Sequence, residues 1–383
     1  MGVLHYMAEK IRRQRLGAGS SGPLACIAAC LAFLLAAGCS KNEVPAPVRT
    51  FGGPAEVTLI LSGGSSTKGG QDSTGSLTKA GAVDESSPVR SIRIYAFKHA
   101  PEDPVQNNEL VGYIMYSGFE GSGPHYCRMG LTASGDIDFY VIANDIYAVT
   151  GAQLDEGSTR EEIERFRFSG LYEHEGQSAV PMSNIMTGDS EAIGSNNFSF
   201  HIDENDPSTP VIPIQVSRAM ARLSLFLLNA SDEGTASLTS ATVYQGPDEA
   251  GLFSADGAPA YGGTAPSDRF VSTEHTLKGV TGVLQDEDYE MIGEEAYILP
   301  NTSGSLDADE FIPEGNSQET RAYIVSLTFM VNGSERQEEV YLPSVSPNDW
   351  IRIYGAVSSR IDVNLKVLVD SWDIHEIDIP PFM

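Results

Sequence analysis

The sequence predicts an all-β protein built from two β-sandwich domains in series, with one short helix in the first. Short runs in which apolar side chains alternate with polar ones, or follow one another unbroken, recur along the chain, as in strands covered on one face or on both. Gly, Pro, Asn and Asp turn signals separate these runs, and a single stretch carries a clear helix-start signal. At 383 residues the chain has room for about two domains of roughly 150 residues each.

Residues 1–38 precede the fold. Lys10, Arg12, Arg13 and Arg15 form a positive segment, and Pro23 to Ala37 (PLACIAACLAFLLAA) is an uncharged apolar run too short to span a bilayer as a permanent helix, which is the pattern of a signal peptide. The run ends in Leu35-Ala36-Ala37-Gly38-Cys39-Ser40. This resembles the lipobox of bacterial lipoproteins, where small residues fit the signal peptidase and the cysteine thiol receives diacylglycerol. The resemblance implies export through the periplasm, lipidation at Cys39 and attachment to the outer membrane by the lipid. Met7 offers a second start that changes nothing downstream, and Ser40 to Pro54 is a polar, Pro-containing tether.

The first strand is Ala55 to Leu61, with Val57, Leu59 and Leu61 on one face and Glu56, Thr58 and Ile60 on the other. Ser62 to Ser87 follows, rich in Gly, Ser and Thr and without apolar periodicity, so a long loop is expected there, of a length that calls for a functional reason. Val89 to Phe97 alternates again, placing Ile92, Ile94 and Ala96 together, and Ile137 to Ala143 (IDFYVIA) is the near-continuous apolar run of a strand covered on both sides. Ser158-Thr159-Arg160-Glu161 has capping-box spacing and predicts the helix, from Thr159 to about Phe168.

Val211 to Val216 alternates and Ala219 to Leu228 is strongly apolar, so a domain boundary is placed between Pro213 and Arg218. Beyond it Ala296 to Leu299, Ala322 to Val331, Glu338 to Leu342, Trp350 to Val357 and Ile361 to Val369 read as strands. The expected organisation is a signal peptide over 1–38, a lipidated propeptide over 39–79, and two tandem transthyretin-like or immunoglobulin-like sandwiches over 80–214 and 215–383.

Composition narrows the function classes. The formal charge is −28, and loss of the signal segment, with its four basic residues and Glu9, takes it to −31; nucleic acid is not an expected partner. Cys26 and Cys30 leave with the signal and Cys39 is the lipid site, so Cys127 remains alone as a buried small residue and no intramolecular disulfide can form.

His99, His125, His174, His201, His275 and His375 are scattered without metal-ligand spacing, and neither a Gly-x-Ser-x-Gly elbow nor a phosphate-binding Gly-rich loop is present. Asp203-Glu204-Asn205-Asp206 and Asp286-Glu287-Asp288 lack the spaced ligands and glycine of a calcium loop and read as solvated acidic turns. No enzyme activity, metal or cofactor is expected.

Several motifs follow one another in order: Thr78-Lys79-Ala80 in the loop, Val89 to Phe97, Val141-Ile142-Ala143-Asn144, Pro181-Met182-Ser183, Ser217-Arg218-Ala219-Met220-Ala221-Arg222, Tyr297-Ile298-Leu299-Pro300-Asn301 and a terminal Val-x-x-Trp at Val369 to Trp372. With the lipobox, this order resembles the fimbrillins of Bacteroidetes type V pili across nearly the whole chain. The resemblance implies that an Arg- or Lys-specific surface protease cuts the loop after the first strand. That strand, carrying Val57, Leu59 and Leu61, is then lost, and a strand of the next subunit fills the groove.

On these residues the cut falls between Lys79 and Ala80. Many members carry Arg there, so Lys79 leaves the protease's preference open. Lys68 and Arg49 are alternative sites, although a cut at Arg49 frees the lipid without opening a groove. Donor candidates are Val363, Leu365, Val367 and Val369, and then Ile377 and Ile379 before Pro380-Pro381; both runs also suit ordinary edge strands.

The expected role is a structural subunit of a surface fimbria supporting adhesion, with other fimbrial subunits and a host or bacterial receptor as partners. An uncut membrane anchor or a tip adhesin of the same pilus is the alternative within the class. A glycan-binding surface lipoprotein is the alternative outside it, for which Trp350 and Trp372 would have to leave the strand-like runs that hold them.

Overall fold

A computed structural model describes residues 55–63, 88–118, 125–172, 178–187, 189, 192–204, 211–231, 234–261, 267–301, 322–358 and 363–371, all within one compact unit. The chain is nearly all β, as its sequence predicts. In the first half β1 (Ala55–Gly63), β2 (Ser91–Lys98), β3 (Leu110–Ser117), β4 (His125–Leu131), β5 (Gly135–Ala143), β9 (Met182–Ser183), β10 (Ser199–Ile202) and β11 (Val211–Arg218) form one sheet, in the order β3-β2-β5-β9-β11-β1-β4 with β10 also on β5. Two small ladders lie outside it: β6 (Ala148–Val149) with β8 (Gly170–Leu171), and β7 (Arg167–Phe168) with β14 (Ala250–Gly251).

This sheet folds over on itself. The in-facing rows of β1, β4 and β11 meet those of β2, β3 and β5 in one apolar core that includes Leu59, Met129, Ile214, Ile94, Ile114 and Phe139. Its two ends come together where β4 crosses β3: a Cβ on Gly112 would lie 2.7 Å from the ends of the Leu131 and Met129 side chains, which would have to shift to admit it. The backbone N–H of Thr132 donates to the Val111 carbonyl at 2.8 Å beside it. β2 and β5 are buried on both faces, matching the unbroken apolar run of β5.

Among the described residues two one-turn α-helices occur in this half, one more than predicted. α1 (Pro104–Asn107) starts at Asp103, whose carboxylate accepts from the N–H groups of Val105 and Gln106, with proline in the first turn. α2 (Arg160–Glu164) starts one residue later than predicted and ends earlier. Its capping box is Thr159 with Glu162, because the Ser158 hydroxyl is taken by the Asp155 N–H. It stops where Phe166 and Phe168 enter the core on alternate positions while β7 pairs with β14.

The second half is a sandwich of two five-stranded sheets. One holds β12 (Ala221–Asn229), β17 (Glu290–Met291), β18 (Ala296–Ile298), β21 (Asp349–Val357) and β22 (Val363–Ser371); the other holds β13 (Ala236–Tyr244), β15 (Ser267–Val271), β16 (His275–Thr276), β19 (Ile324–Val331) and β20 (Ser334–Tyr341). Leu223, Leu225, Ile351 and Ile353 from the first sheet meet Leu238, Val325, Leu327 and Phe329 from the second. In both halves the first strand pairs in parallel with a late one, β1 with β11 and β12 with β21.

β11 continues to Arg218, so the chain changes sandwich at Ala219 and Met220. The halves are joined by a further aromatic core. There the Tyr140 ring meets Phe198 and Phe253 edge-on at 4.5 and 5.3 Å, with Phe168, Met220, Leu252 and Leu299 packed around them.

Candidate functional site

β1 occupies a slot between two strands. It runs parallel to β11, from Thr58 opposite Val211 to Gly63 opposite Val216, and antiparallel to β4, from Ala55 opposite Leu131 to Leu61 opposite His125. Both ladders use its backbone groups, and its alternation decides which side chains go inward. Val57, Leu59 and Leu61 are fully buried or nearly so, as the sequence pattern requires. Across from them on β4 stand Met129, Cys127 and His125, and beside Leu59 and Leu61 on β11 stand Ile212 and Ile214.

The walls of the slot are held differently. β11 continues into β9, whereas β4 pairs with β1 alone among the described strands. What else fixes β4 is Tyr116 of β3, whose hydroxyl donates to the Arg128 carbonyl at 2.7 Å and accepts from the Arg128 N–H at 3.1 Å. Burial pushes the Tyr116 hydroxyl up to about 12, so it stays a neutral double-acting bracket. Burial likewise pushes the Cys127 thiol up to about 12, and it serves as a small apolar wall residue.

The chain that re-enters after the loop is anchored independently of β1. Asn144, at φ 61° and fully buried, accepts on Oδ1 from the N–H groups of Arg90 (2.8 Å) and Ser91 (3.3 Å). Its Nδ2 donates to the carbonyls of Pro88 (3.0 Å) and Val180 (2.9 Å). Asparagine tolerates the left-handed conformation and supplies both donors and acceptors, which gives the Val-Ile-Ala-Asn motif its physical reason.

Of the donor candidates, Val363, Leu365, Val367 and Val369 form the in-facing row of β22. They pack partly buried on the second sandwich's core and pair with β21 along its length. β22 closes that sheet's order at one edge. On its outer side Asp370 accepts from Arg352 Nη2 at 2.5 Å. The Arg352 guanidinium lies 4.6 Å from the Trp350 ring, with Arg222 over the same ring at 4.0 Å, and the indole N–H donates to Ser224 Oγ. Trp350 is thus tied into the sheet. The edge strand of the other sheet, β20, instead carries Glu335, Arg336, Glu338 and Glu339.

Cys39, Arg49, Lys68, Lys79, Ala80, Trp372, Ile377 and Ile379 lie outside the described residues. Among the described residues no group of three or more His, Cys, Asp or Glu side chains could hold a metal. One cluster has the residue types of a catalytic triad. Asp138 accepts from Ser199 Oγ at 2.6 Å and from Arg160 at 2.8 Å, and pairs with His99 Nδ1 at 2.9 Å. The carboxylate is in the centre, so the serine hydroxyl points at it and not at the imidazole, which is not the Ser-His-Asp order of a triad; the cluster ties α2 to the sheet.

No family model and no curated protein sequence matches the chain. Among solved structures, a proposed cell adhesion protein from Parabacteroides distasonis is 12% identical, covers 83% of this chain and 96% of its own, and superposes at TM-score 0.50. Another from Bacteroides eggerthii is 12% identical over 84% and 97%, at 0.47. A C-terminally truncated tip fimbrial protein from Porphyromonas gingivalis is 11% identical over 83% and 100%, at 0.45. The class so defined is an all-β protein with the fold of the Parabacteroides protein.

Proposed function

We propose that the chain is a structural subunit of a surface fimbria, exported as a lipoprotein lipidated at Cys39, cut between Lys79 and Ala80, and polymerised by strand exchange to support adhesion. The observation that carries this reading is β1 itself: a first strand laddered on both sides and filling a core with three apolar residues. Its covalent connection to β2 is residues 64–90, which carry Lys68 and Lys79.

A cut there leaves β1 held by non-covalent contacts alone, while Asn144 keeps residues 88–91 in place. Its loss exposes one row of backbone groups on β4 and another on β11 above an apolar floor, which a strand from another chain satisfies. The adhesion role proposed for the Parabacteroides protein of the same fold points the same way.

The partners are other copies or other fimbrial subunits, a Lys/Arg-specific surface protease, the outer membrane through the lipid before cleavage, and a host or bacterial receptor. The test is the mass and N-terminal sequence of the protein from sheared surface filaments and from the membrane fraction. A filament form starting at Ala80 is expected. A chain found only in membranes, uncut and lipidated at Cys39, would replace this reading with that of an anchor.

A further inference from the structure

β11 has two sides, and only the side toward β1 is laddered along its length. Among the described residues its strand partners are β1 over 211–216 and β9 at Ser217 and Arg218 alone, so from Val211 to Val216 the side away from β1 is a sheet edge. Backbone groups of alternate residues point to the same side of a strand, and Asn197 shows which residues point to this edge. Its Oδ1 accepts from the Gln215 N–H at 2.8 Å, and its Nδ2 donates to the Gln215 carbonyl at 3.0 Å. Val211 and Pro213 share that phase. Of the three donors this row could offer, two are therefore gone, one to Asn197 and one because proline has none. At 212 or 214 a proline would cost a bond to β1; at 213 it costs only the edge.

Asn197 is anchored from the opposite layer. It sits in the left-handed region at φ 60°, which asparagine tolerates. Its Nδ2 also donates to the Ile185 carbonyl at 3.1 Å, and its own carbonyl accepts from Asn184 Nδ2 at 3.0 Å. Asn184 is fully buried and fixed on β5, where its Oδ1 accepts from the Val141 N–H and its Nδ2 donates to the Phe139 carbonyl, both at 2.8 Å. The Asn197 side-chain amide thus stands where the peptide group of a neighbouring strand would stand, and it is held there from β5.

We propose that Asn197 and Pro213 close this edge against a second copy of the chain, so that a strand from another molecule can ladder onto β11 only from the side that β1 occupies. The edge exists in the uncut chain, so this holds whether or not strands are exchanged. Unpaired edges template pairing with other chains, and natural sheets blunt them with charge, proline or bulges. β20, an edge strand of the second sandwich, uses charge, with Glu335, Arg336, Glu338 and Glu339. The exposed row of β11, Val211, Pro213 and Gln215, carries none. Without the two blocks it would be an uncharged edge free to pair with the same edge of another copy across a two-fold axis.

The test uses the full-length chain, purified in detergent and checked by mass to retain β1, so that the slot is filled. Asn197→Gly keeps the left-handed backbone and frees Gln215, while Pro213→Thr restores a donor on the edge without touching the ladder to β1. In sedimentation velocity the double variant is expected to self-associate roughly tenfold more tightly than the unmodified chain, the scale of one or two hydrogen bonds gained, and each single variant less so. Adding Val211→Lys, at an exposed position, puts a charge on the edge and is expected to return the double variant to the unmodified behaviour.

A double variant that keeps the unmodified urea midpoint and associates no more than the unmodified chain would overturn the proposal, as would association that Val211→Lys leaves unchanged. Where the double variant does not fold, amide exchange in Asn197→Gly alone decides. The Gln215 amide is expected to exchange roughly tenfold faster, while those of Ile212 and Ile214, which face β1, keep their rates. Protection retained at Gln215 would mean that another group covers the edge, and loss at Ile212 and Ile214 as well would mean that Asn197 holds the fold and not the edge; either result overturns the assignment.

Discussion

Leu59→Ala separates a strand that stays from a strand that leaves. Leu59 is fully buried between Cys127 on one neighbour and Ile212 on the other; β11 continues into β9 and β4 is bracketed by Tyr116, so the site can collapse little. Truncation to alanine in such a site costs about 2–5 kcal/mol. Against denaturant slopes of roughly 1–3 kcal/mol per molar urea, the uncut precursor should lose on the order of 1 M or more in its unfolding midpoint. Ile212→Ala, at the slot wall and 4% exposed, should cost a similar amount.

If the proposed cleavage and assembly remove β1, the two variants part company afterwards. Residue 59 is then no longer in the subunit, so Leu59→Ala filaments should match the unmodified ones in urea, whereas Ile212→Ala filaments stay weakened. The assay is urea unfolding followed by circular dichroism on precursor and filament forms of each. If Leu59→Ala weakens the filament form as much as the precursor, β1 has remained in place and the reasoning fails.

Three further outcomes are expected. Lys79→Gln should leave a folded, lipidated, monomeric chain, and normal-length filaments built from that variant would refute Lys79 as the processing site. Asp370→Asn should loosen β22, because it leaves the Arg352 charge, whose side chain is 7% exposed, without its carboxylate; hydrogen exchange over 363–371 should speed up roughly 5-fold to 150-fold, corresponding to about 1–3 kcal/mol. Burial holds the His125 imidazole below its ordinary value of 6.5, so as pH falls through that value the unfolded chain gains a proton that the folded chain refuses. His125 thus withdraws up to about 1.4 kcal/mol of stability per pH unit below about 6.5 and none above it, and the drop in melting temperature from pH 7.5 to 5.5 should be smaller in His125→Gln.

The strands legible in the sequence are those whose alternation or apolar continuity is unbroken, such as β1, β2, β5, β12, β21 and β22. β4 was harder to see because His125, Arg128 and Gly130 interrupt it, yet its buried row of His125, Cys127, Met129 and Leu131 alternates without a fault. β13 (ASLTSATVY) is hidden by small and hydroxyl side chains that depress strand contrast. Half of the site was therefore readable, namely the strand and its inward face. The other half was not, because the pairing of Leu59 with Cys127 and Ile212 joins segments far apart in sequence, and periodicity reports which face is buried but not what buries it. The same limit hid the aromatic cluster that Phe166, Phe168 and Phe253 build between the halves.

Energetics would give the proposed exchange a direction. Val57, Leu59 and Leu61 belong to the first sandwich's core, and neither the second sandwich's core nor the aromatic junction contains a β1 residue, so losing β1 weakens one sandwich and leaves the rest packed. Three buried apolar side chains at about 1.5–3 kcal/mol each amount to roughly 5–9 kcal/mol, comparable to the whole stability of an ordinary domain at about 5–15 kcal/mol. A subunit cut as proposed would therefore be short of a strand it can scarcely do without, and β4, bracketed by Tyr116, would keep a wall of the slot ready for another. Val363, Leu365 and Val367 are only partly buried where β22 now lies, whereas the slot buries its occupant fully. Under the proposed exchange the same residues would gain apolar burial on moving from the edge of one molecule into the interior of the next.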